Sequence, residues 1–259
     1  MTDFKKTCTF YFILFVCLNA TKSFSQTSAF SHEKYIGGRG DTLNYRMGLP
    51  DWDTLRKYPL VVFLHGLYER GDDNESQLKF GVTDLAESKI SAMYPAFIIA
   101  PQCPQNAKWA NISENTSTHQ IRLLTSPSKP MKLLIELIYK LEKDFPVDTN
   151  RIYITGFSMG GYGTYDAIER YPNLFAAAVP VCGGGDTSKA ASIAHIPIWI
   201  FHGAEDPTVS PLYSLDMMSA LTTAGAHPGF TQYPEVGHFS AKGAYTDPTM
   251  IAWLFRQRK

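Results

Sequence analysis

Cysteine is scarce in this chain, four among 259 residues, and two of these, Cys8 and Cys17, fall in an N-terminal apolar stretch. No CxxC pair, HExxH pattern or Cys/His cluster occurs, so no structural or catalytic zinc site is expected and no metal is assigned. An excess of one charge is also missing, with 24 Lys and Arg against 24 Asp and Glu. A nucleic-acid partner selects for a basic surface and is therefore not expected. No apolar run reaches the roughly 20 residues that a membrane helix needs, and no repeat at solenoid periods is present. Apolar residues themselves are plentiful, at 44%. That fraction supports a packed core and excludes a disordered chain.

The first 25 residues read as a secretory signal peptide. Lys5 and Lys6 precede an apolar run over 8–18, and Ser23-Phe24-Ser25 places small residues where a signal peptidase reads. Cleavage is expected near Ser25/Gln26, with a secreted or periplasmic product and no stable membrane insertion. The competing reading is an uncleaved anchor, which the short apolar core disfavours. Val16 before Cys17 argues against a lipid anchor. Residues 26–259 are expected to form a single catalytic domain, retaining only Cys103 and Cys182, whose pairing is left open.

Beyond the leader, apolar runs alternate with amphipathic stretches. Strands are expected at 58–65, 96–101, 151–156, 175–182 and 196–202, where the runs are continuous, as in strands buried on both faces. Weaker strand signals lie at 42–49, an antiparallel edge candidate, and at 230–233. Helical patterns cover 75–90, 132–143, 159–171, 211–224 and 248–257. This alternation predicts an α/β fold with a mostly parallel central sheet flanked by helices. The stretch 104–129, rich in Asn, Ser and Thr, has no periodicity and reads as a long functional loop.

The segment Gly156-Phe157-Ser158-Met159-Gly160 follows an expected strand and opens an expected helix, the setting of a nucleophile elbow. Acid and histidine follow in the chain order of the α/β-hydrolase sheet. Asp206 lies in the loop after the strand at 196–202, and His238 in the loop after 230–233. Ser158 would be the nucleophile, His238 its general base and Asp206 the residue that orients the imidazole. Glu205 is the competing acid and Asp186 a more distant one. An oxyanion hole requires two backbone amides, one from Met159 and the other most plausibly from Leu67 after the strand at 58–65. His65 and His202 end strands and read as loop braces, and His32, His119, His195 and His227 show no partner pattern.

The segment His65-Gly66-Leu67-Tyr68-Glu69-Arg70-Gly71-Asp72-Asp73-Asn74 resembles the HGxGERGxDN motif of a family of secreted esterases of the α/β-hydrolase fold. Members are labelled predicted peptidases or phospholipase/carboxylesterase-like proteins, and are related to polyhydroxybutyrate depolymerases and feruloyl esterases. Further matches are Ala100-Pro101-Gln102-Cys103-Pro104 with Trp109, GFSMGGYGTYD, CGGGD, HGAEDPTV and YPEVGH, over roughly residues 40–258. The resemblance implies Ser158, Asp206 and His238 as a catalytic triad and no cofactor. Two departures bear on the pocket. Tyr68 stands where the family commonly has glycine, and Phe239-Ser240-Ala241 follows the histidine where a nearby tryptophan is usual.

Charged Glu69, Arg70, Asp72 and Asp73 are expected to brace the oxyanion loop. Tyr68, Trp109 and Phe239 are the candidate substrate-binding residues, with Trp109 equally able to pack the long loop. The expected activity is hydrolysis of short-acyl or feruloyl-type esters of carbohydrate, the partner being a small or polysaccharide-linked ester. The alternatives are a serine peptidase of the prolyl-oligopeptidase type, for which no gating domain is visible, and a lipase or polyester depolymerase.

Overall fold

The computed structural model describes residues 30–259, so the expected signal peptide (1–25) and its cleavage point lie outside the described residues. The chain opens with strands β1 (Phe30–Ile36), β2 (Thr42–Gly48) and β3 (Tyr58–Leu64), then short helices α1 (Val82–Leu85) and α2 (Ser88–Met93), and β4 (Phe97–Pro101). A hairpin of β5 (Ile112–Asn115) and β6 (Gln120–Leu123) precedes α3 (Lys129–Asp144), β7 (Val147–Phe157) and α4 (Met159–Arg170). Then come β8 (Ala177–Val181), α5 (Ala190–Ile193), β9 (Trp199–Gly203), α6 (Leu212–Thr223), β10 (Gly229–Tyr233), α7 (Ala241–Thr246) and α8 (Pro248–Arg256).

Eight strands make one sheet in the order β1-β2-β4-β3-β7-β8-β9-β10. The pairings from β4 to β10 are parallel, and those of β1 with β2 and β2 with β4 are antiparallel. This is the mostly parallel α/β sheet that the alternating pattern predicts, with its antiparallel strands at one edge. The two-residue period of a strand sorts β3 between two layers. Leu60, Val62 and Leu64 pack with Leu134 and Ile138 of α3 and with Tyr165 and Ile168 of α4. Val61 and Phe63 pack instead with Tyr245 of α7 and Ile251 and Leu254 of α8. Both faces are thus covered, which is why the central runs are continuously apolar. In α3, Met131, Leu134, Ile135, Ile138 and Leu141 are buried at helical spacing, Pro130 sits in the first turn, and the Ser128 side chain accepts from the Met131 amide.

Register aligns the strand ends. Leu64 pairs with Gly156, Phe157 with Val181, Val181 with Phe201 and Gly203 with Tyr233. The loops that follow β3, β7, β8, β9 and β10 therefore converge on one edge of the sheet, where ligands bind in open α/β folds.

Three expectations are corrected. The single helix over 75–90 is a 3-10 turn (Ser76–Leu78) followed by α1 and α2. The Asp73 carboxylate accepts from the Glu75 and Ser76 amides, forming a tight turn. Gly81, at φ 86°, then redirects the chain where a Cβ would meet the Tyr245 ring at 2.5 Å. The stretch 104–129 contains the β5–β6 hairpin, and Phe30–Ile36, given no structure from sequence, is an edge strand. Cys103 and Cys182 are buried and free. Among the described residues no helix is long and apolar enough to cross a membrane.

Candidate active site

The turn between β7 and α4 is built around Ser158, whose φ of 57° places it in the left-handed region. Such strain costs about 1–3 kcal/mol for a residue with a side chain and persists only where surroundings enforce it. Here the Ser158 amide donates to the Val181 carbonyl at 2.9 Å, and α4 presses on the end of β3. A Cβ on Gly160 would stand 1.9 Å from the Leu64 carbonyl oxygen, so only glycine permits that approach. The turn leaves Ser158 8% exposed, at the N-terminus of α4 where the helix dipole favours developing negative charge.

Three loops bring the expected partners to this serine. His238 Nε2 lies 2.9 Å from Ser158 Oγ, and His238 Nδ1 lies 2.7 Å from Asp206 Oδ2. The other Asp206 oxygen accepts from the amides of Thr208 and Val209, each at 2.9 Å. His202 Nε2 adds a contact to Asp206 Oδ2 at 3.3 Å. Burial alone would raise the Asp206 pKa, but the hydrogen bonds from His202, His238 and the two amides reverse this and hold it far below the ordinary carboxylate range. An ionised acceptor facing Nδ1 fixes the proton there and leaves Nε2 as the base toward the serine.

The competing acids lie elsewhere. Glu205 is exposed, and Asp186 is engaged by Arg122 and by the Leu123 amide. His65 is 2% exposed and accepts from the Cys103 amide at Nε2, with Nδ1 2.6 Å from the Gly66 carbonyl. His202 bridges Ser214 and the Val209 carbonyl. Sequence reasoning treated His202 as a loop brace but did not anticipate that the brace holds the acid loop. The only hint was its position four residues before Asp206.

Leu67 opens a 3-10 turn directly after Gly66, and Met159 opens α4, so both candidate oxyanion amides sit on the adjoining ends of β3 and β7. The loop that carries Leu67 is held in place by side chains. Gln102 donates to the Glu69 carbonyl and to Asp73, and accepts from the Asn74 amide. Arg70 donates to the Leu67 and Ala107 carbonyls. Asp72 takes part through its carbonyl, which accepts from Asn44. Burial raises the Glu69 pKa.

The three aromatic candidates differ in placement. Tyr68 is 85% and Phe239 65% exposed, and Phe239 packs on Phe157 and Phe80 at centroid distances of 6.1 and 5.9 Å. Phe157 in turn lies 4.9 Å from the His238 ring. Trp109 is fully buried, which corrects its assignment as a substrate platform. Its indole N–H donates to the His65 carbonyl, and its side chain lies where a Cβ on Gly163 would stand, locking the long loop onto α4.

Cys182, His202 and Asp206 bring potential metal-ligand atoms within 4.8 Å of one another. Each is already engaged, Cys182 with Ser240 and the other two as described. The group fits a hydrogen-bonded brace behind the histidine better than a cation site.

Fold and site together define the class, a serine hydrolase on the α/β-hydrolase sheet. Within that class the chain belongs to the dienelactone hydrolase family, whose family model matches residues 61–247. It is similar to a thermostable esterase of known structure, at 39% identity and a TM-score of 0.83, over 90% of this chain and 64% of that one. It is also similar to the bifunctional acetylxylan esterase/xylanase XynS20E of Neocallimastix patriciarum, 27% identical over 59% of this chain and 20% of that protein. The poly(3-hydroxyalkanoate) depolymerase C of Paucimonas lemoignei is 24% identical over 69% of this chain and 47% of its own length. The chain thus spans less than half the length of either curated relative.

Proposed function

We propose that the protein is an exported carboxylic-ester hydrolase that works through an acyl-enzyme on short-acyl or feruloyl-type esters of carbohydrate. The observation that carries the chemistry is the continuous hydrogen-bonded line from Asp206 through His238 to Ser158 Oγ. Ser158 Oγ attacks the ester carbonyl as His238 Nε2 takes its proton, and the Leu67 and Met159 amides receive the oxyanion. His238 then protonates the departing alkoxide, and water attacks the acyl-serine with His238 again as base, releasing the acid.

The acyl preference rests on the wall beside His238. Phe80 and Phe239 present exposed rings over Phe157, which packs on the His238 ring. Exposed Tyr68 follows Leu67, and the β5–β6 hairpin is polar and mostly exposed. A long fatty chain gains about 0.8 kcal/mol per buried methylene only where apolar wall surrounds it, whereas open aromatic faces suit a small or planar acyl group. The acetylxylan esterase relative supports a carbohydrate ester. Turnover of p-nitrophenyl esters tests this: kcat/KM is expected to be highest for acetyl to butyryl or for feruloyl-type esters. Rates rising steadily past eight carbons would overturn it. The depolymerase relative favours a second reading, a polyester hydrolase, and erosion of a poly(3-hydroxybutyrate) film distinguishes the two. Export rests on Lys5, Lys6 and the apolar run that follows. N-terminal sequencing of the secreted protein is expected to begin near Gln26, and recovery of Met1 from membranes would contradict it.

A further inference from the structure

Beside the catalytic acid lies a cavity that the reaction just described does not use. It occupies about 250 Å³ between the β5–β6 hairpin and the acid loop, lined by Glu114, His119, Tyr162, Thr208, Ser210 and Tyr213, with Asp206 also on its wall. It adjoins the catalytic acid, and Tyr162 on its wall stands one turn along α4 from Ser158. The volume falls below the roughly 300 Å³ at which drug-sized pockets begin, so it suits one ring better than an extended ligand.

The hairpin forming its outer wall is firmly mounted. The Asn111 amide donates to Asp166, Arg170 donates to the Asn111 and Leu124 carbonyls, and the Leu123 amide donates to Asp186. Glu114 of β5 and His119 of its turn line the cavity. Glu114 accepts from the Tyr162 hydroxyl at 3.2 Å, and His119 meets the Tyr213 ring edge-on with centroids 5.2 Å apart. Tyr213 is 5% exposed, and its hydroxyl is buried on the side of the Glu114 carboxylate. That hydroxyl is sealed from solvent, so Tyr213 meets the cavity through its ring alone. Burial, then hydrogen bonding and charge from Glu114, raises the Tyr213 pKa and keeps the phenol neutral.

We infer that this cavity is a subsite for a hydroxylated sugar ring of the ester substrate, with Glu114 accepting from ring hydroxyls, Thr208 and Ser210 offering side-chain hydroxyls and Tyr162 giving an aromatic face. The inference rests on the carbohydrate-ester reading and assigns specificity to residues outside the triad. Aromatic faces combined with a carboxylate and hydroxyls match a ring that is apolar on its faces and polar at its rim. The Phe80–Phe157–Phe239 cluster beside His238 is apolar and suits the acyl side.

Saturation-transfer NMR titration of the Ser158→Ala protein with free xylotetraose, cellotetraose and mannotetraose tests this without turnover. At least one sugar is expected to bind, and Glu114→Ala in that background is expected to weaken it about tenfold, the worth of one hydrogen bond to a charged acceptor. Tyr162→Ala is expected to weaken binding as well by removing the aromatic face, with thermal unfolding measured alongside to show that the variant is folded. Failure of all three sugars to bind, or unchanged affinity in both variants, overturns the subsite. Hydrolysis of p-nitrophenyl acetate by the parent protein is measured alongside. Turnover without sugar binding removes the subsite and leaves the hydrolase standing, and sugar binding without any ester turnover does the reverse.

Discussion

The Asp206 carboxylate meets His238 Nδ1 at 2.7 Å, while its chain neighbour Glu205 points to solvent. Two adjacent acids on one loop are thereby separated in role, since only the buried one is held by the Thr208 and Val209 amides. Asp206→Asn is expected to lower kcat by about 10⁴-fold, because an amide in that position selects the wrong imidazole tautomer. Glu205→Gln is expected to leave kcat near the parent value. Steady-state kinetics on a short-acyl ester giving the reverse ranking would transfer the orienting role to Glu205.

The close contact at the elbow makes a stability prediction. With the Leu64 carbonyl oxygen 1.9 Å from a Cβ at position 160, Gly160→Ala must displace either β3 or α4, and both are backbone. The variant is expected to lose about 3 kcal/mol or more, beyond the usual range for a surface substitution. Urea unfolding measures it, and a loss near zero would mean that the elbow is looser than described.

His65 makes the fold sensitive to pH. Burial lowers its pKa to about 4, outweighing the hydrogen bond to the Gly66 carbonyl, and protonation of Nε2 would set two N–H groups, its own and that of Cys103, against each other. An imidazole in the unfolded chain titrates near 6.5. The unfolded state therefore binds more protons between these values, so the stabilisation is fully present above about pH 6.5 and is lost as pH falls through about 4. Between pH 7 and pH 5 the parent is expected to lose about 2 kcal/mol more than His65→Asn. Equal losses in denaturant titrations at the two pH values would contradict the buried neutral ring.

The parts of the molecule legible from sequence were those where one physical signal dominates. β3, β4 and β8 are buried on both faces and read as unbroken apolar runs, and the elbow glycines are dictated by backbone contact. β1 (FSHEKYI) was missed because a partly exposed edge strand need not be apolar. The β5–β6 hairpin was missed because its residues are mostly exposed and its stability comes from Asp166, Arg170 and Asp186, distant in the chain. The helix expected over 75–90 failed at Asp73 and Gly81, where local side-chain bonding and a positive φ outweigh periodicity. Within the site, chain order marked Ser158, Asp206 and His238. The burial of Trp109 and the contact of His202 with Asp206 depend on tertiary packing that no local pattern encodes.

Intact-mass spectrometry after treatment with a fluorophosphonate tests most directly whether Ser158 is a nucleophile activated by His238. The account predicts a single phosphonyl adduct, mapped by peptide sequencing to Ser158. In Ser158→Ala that adduct is expected to disappear, together with about 10⁶-fold of the ester turnover. An adduct of equal extent in Ser158→Ala, or parent-like turnover without that hydroxyl, would contradict it.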